Sequence, residues 1–178
     1  LQDLGADVRV IMTRSATEFI TPLTMQALSK HPVHLDLHNP DTESVMGHIE
    51  LARWADLVLI APASANSMAR LASGHGDDLL TAVCLAAECP VAVAPAMNQA
   101  MWAKHPTQKN RAILSERGIH FLGPDSGLQA CGEVGAGRLL DIDALLLEAS
   151  ALFATGRLQG KTVLITAGPT REAIDPVR

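Results

Sequence analysis

Apolar residues along the chain come in short, dense runs separated by polar clusters. Four of them, DVRVIM (7–12), DLVLIA (56–61), PVAVA (90–94) and IHFLG (119–123), have the length of strands, and a fifth, TVLITA (162–167), follows near the end. The middle runs are almost continuously apolar instead of alternating. That pattern belongs to strands of a parallel sheet covered on both faces. Between the runs, helix-like stretches are expected over 15–29, 66–72, 77–88, 107–117 and 142–154, with a short amphipathic helix after His48. Strand and helix in alternation predict an α/β fold: a doubly wound, mostly parallel sheet flanked by helices. No internal repeat or low-complexity tract interrupts it.

The segments after the strands carry small, hydroxyl and amide residues: TRSAT (13–17), APASANS (61–67), APAMNQ (94–99), GPDSG (123–127) and TAGPT (166–170). Open α/β sheets bind ligands beyond the carboxyl ends of their strands, and the N-termini of the helices that follow favour anions. The first four loops are expected to form one rim and the fifth to belong to another unit. No complete GxGxxG occurs, and GHGDDL (74–79) supplies only its first half. A mononucleotide is therefore easier to accommodate than a dinucleotide.

Composition narrows the classes. The chain has 178 residues, 48% apolar and 19% charged, enough for one domain with a full core. A net charge of −5 argues against a general nucleic-acid binder, which needs a basic surface. Apolar runs are broken well short of a membrane span, and no secretory signal is visible. Cys84, Cys89 and Cys131 are odd in number and lack CxxC spacing, so reduced thiols in a cytoplasmic protein are expected. The opening LQDLGADVRVIM reads as a helix end, a glycine stop and a strand, and the closing residues begin a new strand, so a piece of a longer chain is expected.

Candidate chemistry rests on a few residues. His48 lies at the start of the short helix; it is either a helix-start residue or a general base that works near neutral pH. His31, His34 and His38 are spaced like metal ligands, but Pro32 and Pro40 favour a solvated loop. Ser64, Asn66 and Ser67 offer caps to the following helix, and three such side chains at one strand end also suit a close-approaching ligand. Cys84 and Cys89 read as core residues. Cys131 sits among four glycines, which imply a mobile loop, and is either a proton donor, a nucleophile or incidental. Arg138 meets either a carboxylate or phosphate of a ligand, or a surface partner. In APAMNQAMW (94–102), Met97, Met101 and Trp102 suit packing and Asn98 suits a helix cap or a site.

Three ordered motifs sharpen this. GHIELARWADLVLIAPASAN (47–66), PAMNQAMW (95–102) and ACGEVGAGRLLD (130–141) occur in this order in the flavin-containing cysteine decarboxylases, which the chain resembles over essentially its whole length. Within them it looks like the decarboxylase half of the bacterial bifunctional phosphopantothenoylcysteine decarboxylase/phosphopantothenate–cysteine ligases. GKTVLITAGPTREAIDPVR (160–178) looks like the opening of the ligase half. The resemblance implies a flavodoxin- or Rossmann-like flavoprotein domain over 1–155, whose first strand and Gly-rich phosphate loop lie ahead of Leu1. It also implies a linker and first ligase strand over 156–178.

The resemblance implies FMN as cofactor, with CTP and Mg2+ needed only by a ligase half. It implies His48, Asn98 and Cys131 as catalytic residues, Asn98 on the substrate carboxylate and Cys131 on a flap. Ser15, Ala61, Pro62, Ser64, Ala65 and Asn66 would lie near the flavin, and Met101, Ala130 and Arg138 would join Asn98 at the substrate. Flavin oxidation of the cysteinyl thiol carbon to a thioaldehyde would give the departing carbon dioxide an electron sink, leaving an enethiolate that is then reduced and protonated. A trimer-based homo-oligomer is implied, with neither nucleic acid nor membrane as partner. The rival readings are a flavin-fold binding or regulatory subunit, and a related flavin-binding prenyltransferase.

Overall fold

The continuously apolar runs become strands because helices cover them from both sides. The computed structural model describes residues 1–37 and 47–153. The seven strands are β1 (Val10–Ile11), β2 (Val33–His34), β3 (Val58–Ala63), β4 (Val91–Pro95), β5 (His120–Phe121), β6 (Asp125–Leu128) and β7 (Val134–Arg138). The helices are α1 (Pro22–Ser29), α2 (Gly47–Trp54), α3 (Ala65–Ser73), α4 (Leu79–Ala86), α5 (Gln99–Ala103), α6 (His105–Glu116) and α7 (Ile142–Ala151). Strands β3, β4 and β5 form a parallel sheet with β4 central, in the register Val58↔Val91, Ile60↔Val93 and Ala92↔His120. Strands β1 and β2 form a second parallel pair, and β6 and β7 an antiparallel hairpin.

Central β4 shows how the pattern works. Val93 points into a core with Ile60, Met68, Leu71, Trp102 and Leu114, supplied by β3, α3, α5 and α6. Ala92 and Ala94 point the other way, against Leu122 and Ala149 of α7. Alternate side chains of a strand face opposite sides, so burial on both sides requires an unbroken apolar run. A third cluster joins α2 and α4 to the start of β3 through Leu51, Ala52, Val58, Leu79 and Val83. Among the described residues no helix is long and apolar enough to cross a membrane.

The helix starts follow local chemistry. Thr21 caps α1 by accepting from the Thr24 amide, and Pro22, lacking an N–H, takes the first turn. The helix expected over 15–29 is accordingly split: a 3-10 turn at Ala16–Glu18 precedes α1. Ser64 caps α3, and Asp78 with Thr81 forms a capping box on α4.

Two expectations are corrected. The stretch KHPVHLDLHNP is not loop throughout, because Val33 and His34 pair with Val10 and Ile11. His31 bonds Asp7 at 2.8 Å, while His38 lies outside the described residues, as does TVLITA. The glycine-rich stretch around Cys131 is a paired hairpin. Its glycines serve close packing: a Cβ on Gly135 would collide with the Gln99 side chain, and one on Gly137 with the Met97 carbonyl. Gly137 also has φ +135, which L side chains rarely adopt.

Candidate active site

The loops after β1 and β3 meet in a cleft of about 220 Å³ lined by Thr13, Arg14, Ser15, Ser64, Asn66 and Ser67. Arg70, Asp78 and Thr81 close its other side. The Ser64 hydroxyl accepts from the Ser67 amide at 3.1 Å, so the cap that starts α3 also holds a hydroxyl at the cleft. Arg70 follows Asn66 and Ser67 by one turn and lies on their side of α3. It donates to Asp78 at 3.0 Å, and its Nε is buried with no partner among the described residues. Burial pushes the Asp78 carboxyl up, but hydrogen bonds from Thr81 and the Arg70 charge outweigh it and hold the group below the usual aspartate range. The chemistry suits a ligand carrying hydroxyl and phosphate oxygens. Ala61 and Pro62 are exposed near the end of β3, where its register with β4 shifts, and Ala65 opens α3.

A second constellation forms where the loop after β4 meets the hairpin. The Met97 amide donates to the Gly137 carbonyl at 2.8 Å, and Gln129 links both sides of this seam. Its Nε2 donates to the Met97 carbonyl at 3.2 Å and its Oε1 accepts from the Gln99 amide at 2.9 Å. Asn98 caps α5, its Oδ1 accepting from the Ala100 amide at 2.8 Å. That bond fixes the amide's orientation and turns Nδ2 outward. Nδ2 stands 3.4 Å from Cys131 Sγ and donates to Glu133 Oε2 at 2.8 Å. The thiol is exposed at the hairpin tip, in a connection that turns at Gly132, φ +83. Hydrogen bonds from Asn98 and Gln99 hold the Glu133 carboxyl below the usual range. Met101 and Ala130 are exposed beside this seam, and Arg138 donates to Asp141 at 2.8 Å.

The structure thus brings Asn98 and Cys131 together, and Ser15, Ser64 and Asn66 into one cleft. His48 stands apart on α2, half-buried, with Nδ1 buried and unpartnered among the described residues. No hydrogen bond joins it to Asn98 or Cys131 there. Sequence reasoning missed Arg70, Asp78, Thr81 and Glu133. The one-turn spacing from Asn66 and Ser67 to Arg70, and the Asp-x-x-Thr box, were the available signals.

Residues 1–153 match the family described as Flavoprotein. The chain belongs to the flavoprotein family. Residues 158–178 match a second family, the DNA/pantothenate metabolism flavoprotein C-terminal domain. The chain is 57% identical over 178 residues to the coenzyme A biosynthesis bifunctional protein CoaBC of Vibrio vulnificus (strain YJ016), covering all of this chain and 44% of that protein. It is 52% identical over 179 residues to the CoaBC protein of Escherichia coli (strain K12), again covering all of this chain and 44% of the relative. The chain therefore spans less than half the length of these curated relatives. Among solved structures it is similar to a cysteine-to-serine mutant of PPC decarboxylase complexed with pantothenoylaminoethenethiol, at 34% identity and TM-score 0.68, over 83% of each chain. The FMN-dependent cysteine decarboxylase SpaF matches at 36% identity and TM-score 0.66, over 79% of each chain. The resemblance read from the three motifs holds at the level of family, and the α/β fold agrees with these flavoproteins.

Proposed function

We propose that this chain is the decarboxylase part of a bifunctional protein of coenzyme A biosynthesis. It converts 4'-phospho-N-pantothenoylcysteine to 4'-phosphopantetheine with FMN as cofactor. The observation that carries the reading is the Asn98 amide, locked by its cap so that Nδ2 faces outward beside the Cys131 thiol. Such a donor suits a substrate carboxylate, and the thiol beside it suits proton delivery. Family membership and the decarboxylase relatives support the assignment.

The residues of the cleft fit the polar portion of FMN. Smaller than a whole flavin mononucleotide, the cleft offers Ser15, Ser64, Asn66 and Ser67 to ribityl and phosphate oxygens, and Arg70, whose guanidinium pairs with Asp77 and Asp78 through one terminal nitrogen, keeps its buried Nε as a further donor. Ala61, Pro62 and Ala65 adjoin it. FMN, when bound, supplies reversible oxidation of the cysteinyl thiol carbon, which provides the electron sink for loss of carbon dioxide. His48 accepts the substrate's thiol proton, Asn98 orients the carboxylate, and Cys131 returns a proton to the product-forming intermediate. Met101 and Ala130 flank the substrate, and Arg138 braces the hairpin base through Asp141. In this reading residues 156–178 are the linker and first strand of a CTP- and Mg2+-dependent ligase part of the parent protein, which the match of residues 158–178 to the C-terminal-domain family supports. The reading places the protein in the cytoplasm as a trimer-based homo-oligomer, in keeping with exposed Phe19, Leu23 and Leu28.

The test is made on the full-length protein. It should purify with a flavin spectrum and release carbon dioxide from the phosphopantothenoylcysteine substrate, and His48→Asn should abolish release while keeping the flavin. A flavin-loaded protein without turnover would instead establish a binding or regulatory subunit.

A further inference from the structure

We propose that Gln129 is the latch that registers the hairpin tip on the loop after β4, a positioning residue that sets the Cys131 thiol beside Asn98 for the second half of the reaction. The proposal rests on the reading of Asn98 and Cys131 given above. All four polar groups of Gln129 are engaged. Its main-chain amide donates to the Glu133 carbonyl at 2.8 Å and its carbonyl accepts from the Gly132 amide at 2.8 Å, which closes the tip around Cys131. The side chain reaches the other way: Nε2 donates to the Met97 carbonyl at 3.2 Å and Oε1 accepts from the Gln99 amide at 2.9 Å. Those two main-chain groups flank Asn98. One residue thus shapes the turn that carries the thiol and grips the turn that carries the amide.

Glutamine suits the task because its side-chain amide holds a donor and an acceptor on one planar group, the pair needed to meet a carbonyl and an N–H. Gly137 leaves room for it, since a Cβ there would stand 3.0 Å from Gln129 Nε2 and collide with the Met97 carbonyl. Both side-chain bonds of Gln129 are partly buried. The other side-chain links between tip and loop, from Asn98 to Cys131 and Glu133 and from Gln99 to Glu133, are exposed, and water competes for them.

The two functional side chains depend on the latch unequally. Asn98 keeps its orientation without Gln129, because its Oδ1 is bound to the Ala100 amide of its own helix. The Cys131 thiol is exposed and meets Asn98 Nδ2 at 3.4 Å, so its place follows the place of the tip. Removing the latch therefore spares carboxylate recognition and takes the thiol out of register. The steps up to loss of carbon dioxide use His48 and Asn98; the step after it uses Cys131.

The test compares Gln129→Leu and Gln129→Glu with the native full-length protein. Leucine fills the same space without either bond, and glutamate keeps the acceptor but turns its second oxygen to the Met97 carbonyl. Both variants should retain the flavin spectrum and a KM within about twofold of native. Reduced product formed per carbon dioxide released should fall about tenfold, the worth of one net hydrogen bond. The two electrons taken from each cysteinyl carbon and not returned to product stay on the cofactor, so flavin absorbance should remain bleached in an anaerobic single turnover. Product and carbon dioxide falling together, or neither changing, would overturn the proposal. A second readout needs no turnover: the amides of residues 97–99, followed by mass spectrometry, should exchange hydrogen about tenfold faster in both variants, and exchange at the native rate would also overturn it. Absence of carbon dioxide release by the native protein sinks the functional reading instead, leaving the exchange result to judge the latch.

Discussion

Asn98 shows how one side chain answers to folding and chemistry together. Its oxygen begins α5 and its nitrogen faces the hairpin tip, so cap and site are two ends of the same amide. Asn98→Asp separates them. Aspartate caps as well as asparagine, so the melting temperature should hold. The outward donor is lost and a second carboxylate faces Glu133, so decarboxylation should fall about 100-fold. A large drop in melting temperature would show that the outward bonds are structural. The three cysteines make the converse point. The sequence separates Cys131 from Cys84 by surroundings alone, and the structure keeps that separation. Burial, with help from the Asp78 and Cys89 charges, pushes the Cys84 thiol up to about 12, whereas Cys131 is exposed. His48 was legible as a candidate because it stands at a helix start. Its relation to the other two was not, since distance between elements is not written in local spacing.

At the scale of elements, capping chemistry carries both stability and pH dependence. Asp78 caps α4 and pairs with Arg70 at the edge of the cleft, 3.0 Å away. Its folded carboxyl is held below the ordinary range, so its contribution is present at neutral pH and is lost as pH falls through the folded value. Asp78→Ala should cost about 1 kcal/mol at pH 7, measured by urea unfolding. The gap from the native protein should narrow below about pH 4. A gap that persists in acid would place the effect in packing instead. Strands β3 and β4 stood out in the sequence because two-sided burial leaves an unbroken apolar run. Strand β2 did not, because two residues between prolines carry no period and gain their conformation from Val10 and Ile11. The hairpin is hidden from the sequence for a related reason. Glycine looks the same whether it grants freedom or grants room, and only the neighbouring Met97 and Gln99 distinguish the two at Gly135 and Gly137.

For the molecule as a whole, the exposed apolar residues of one segment stand out. Phe19 is 92% exposed, Leu23 73% and Leu28 61%, more apolar surface than a short stretch of a monomer usually shows. The full-length protein should run as a multiple of trimers in light scattering, and Phe19→Arg should lower that mass. An unchanged mass would put the subunit contacts elsewhere. The doubly wound plan, by contrast, was legible from alternation alone, because each buried strand must be covered by the helix that follows it. The hairpin sits outside that plan. Asp125 and Arg138, its first and last residues, are register partners, so the chain leaves the body and rejoins it at a single point. The tip bearing Cys131 is therefore a cassette. Its tip can change in length and side chains while β4 and its two cores stay as they are, provided that Gln129, Gly135 and Gly137 keep their fit to Met97 and Gln99.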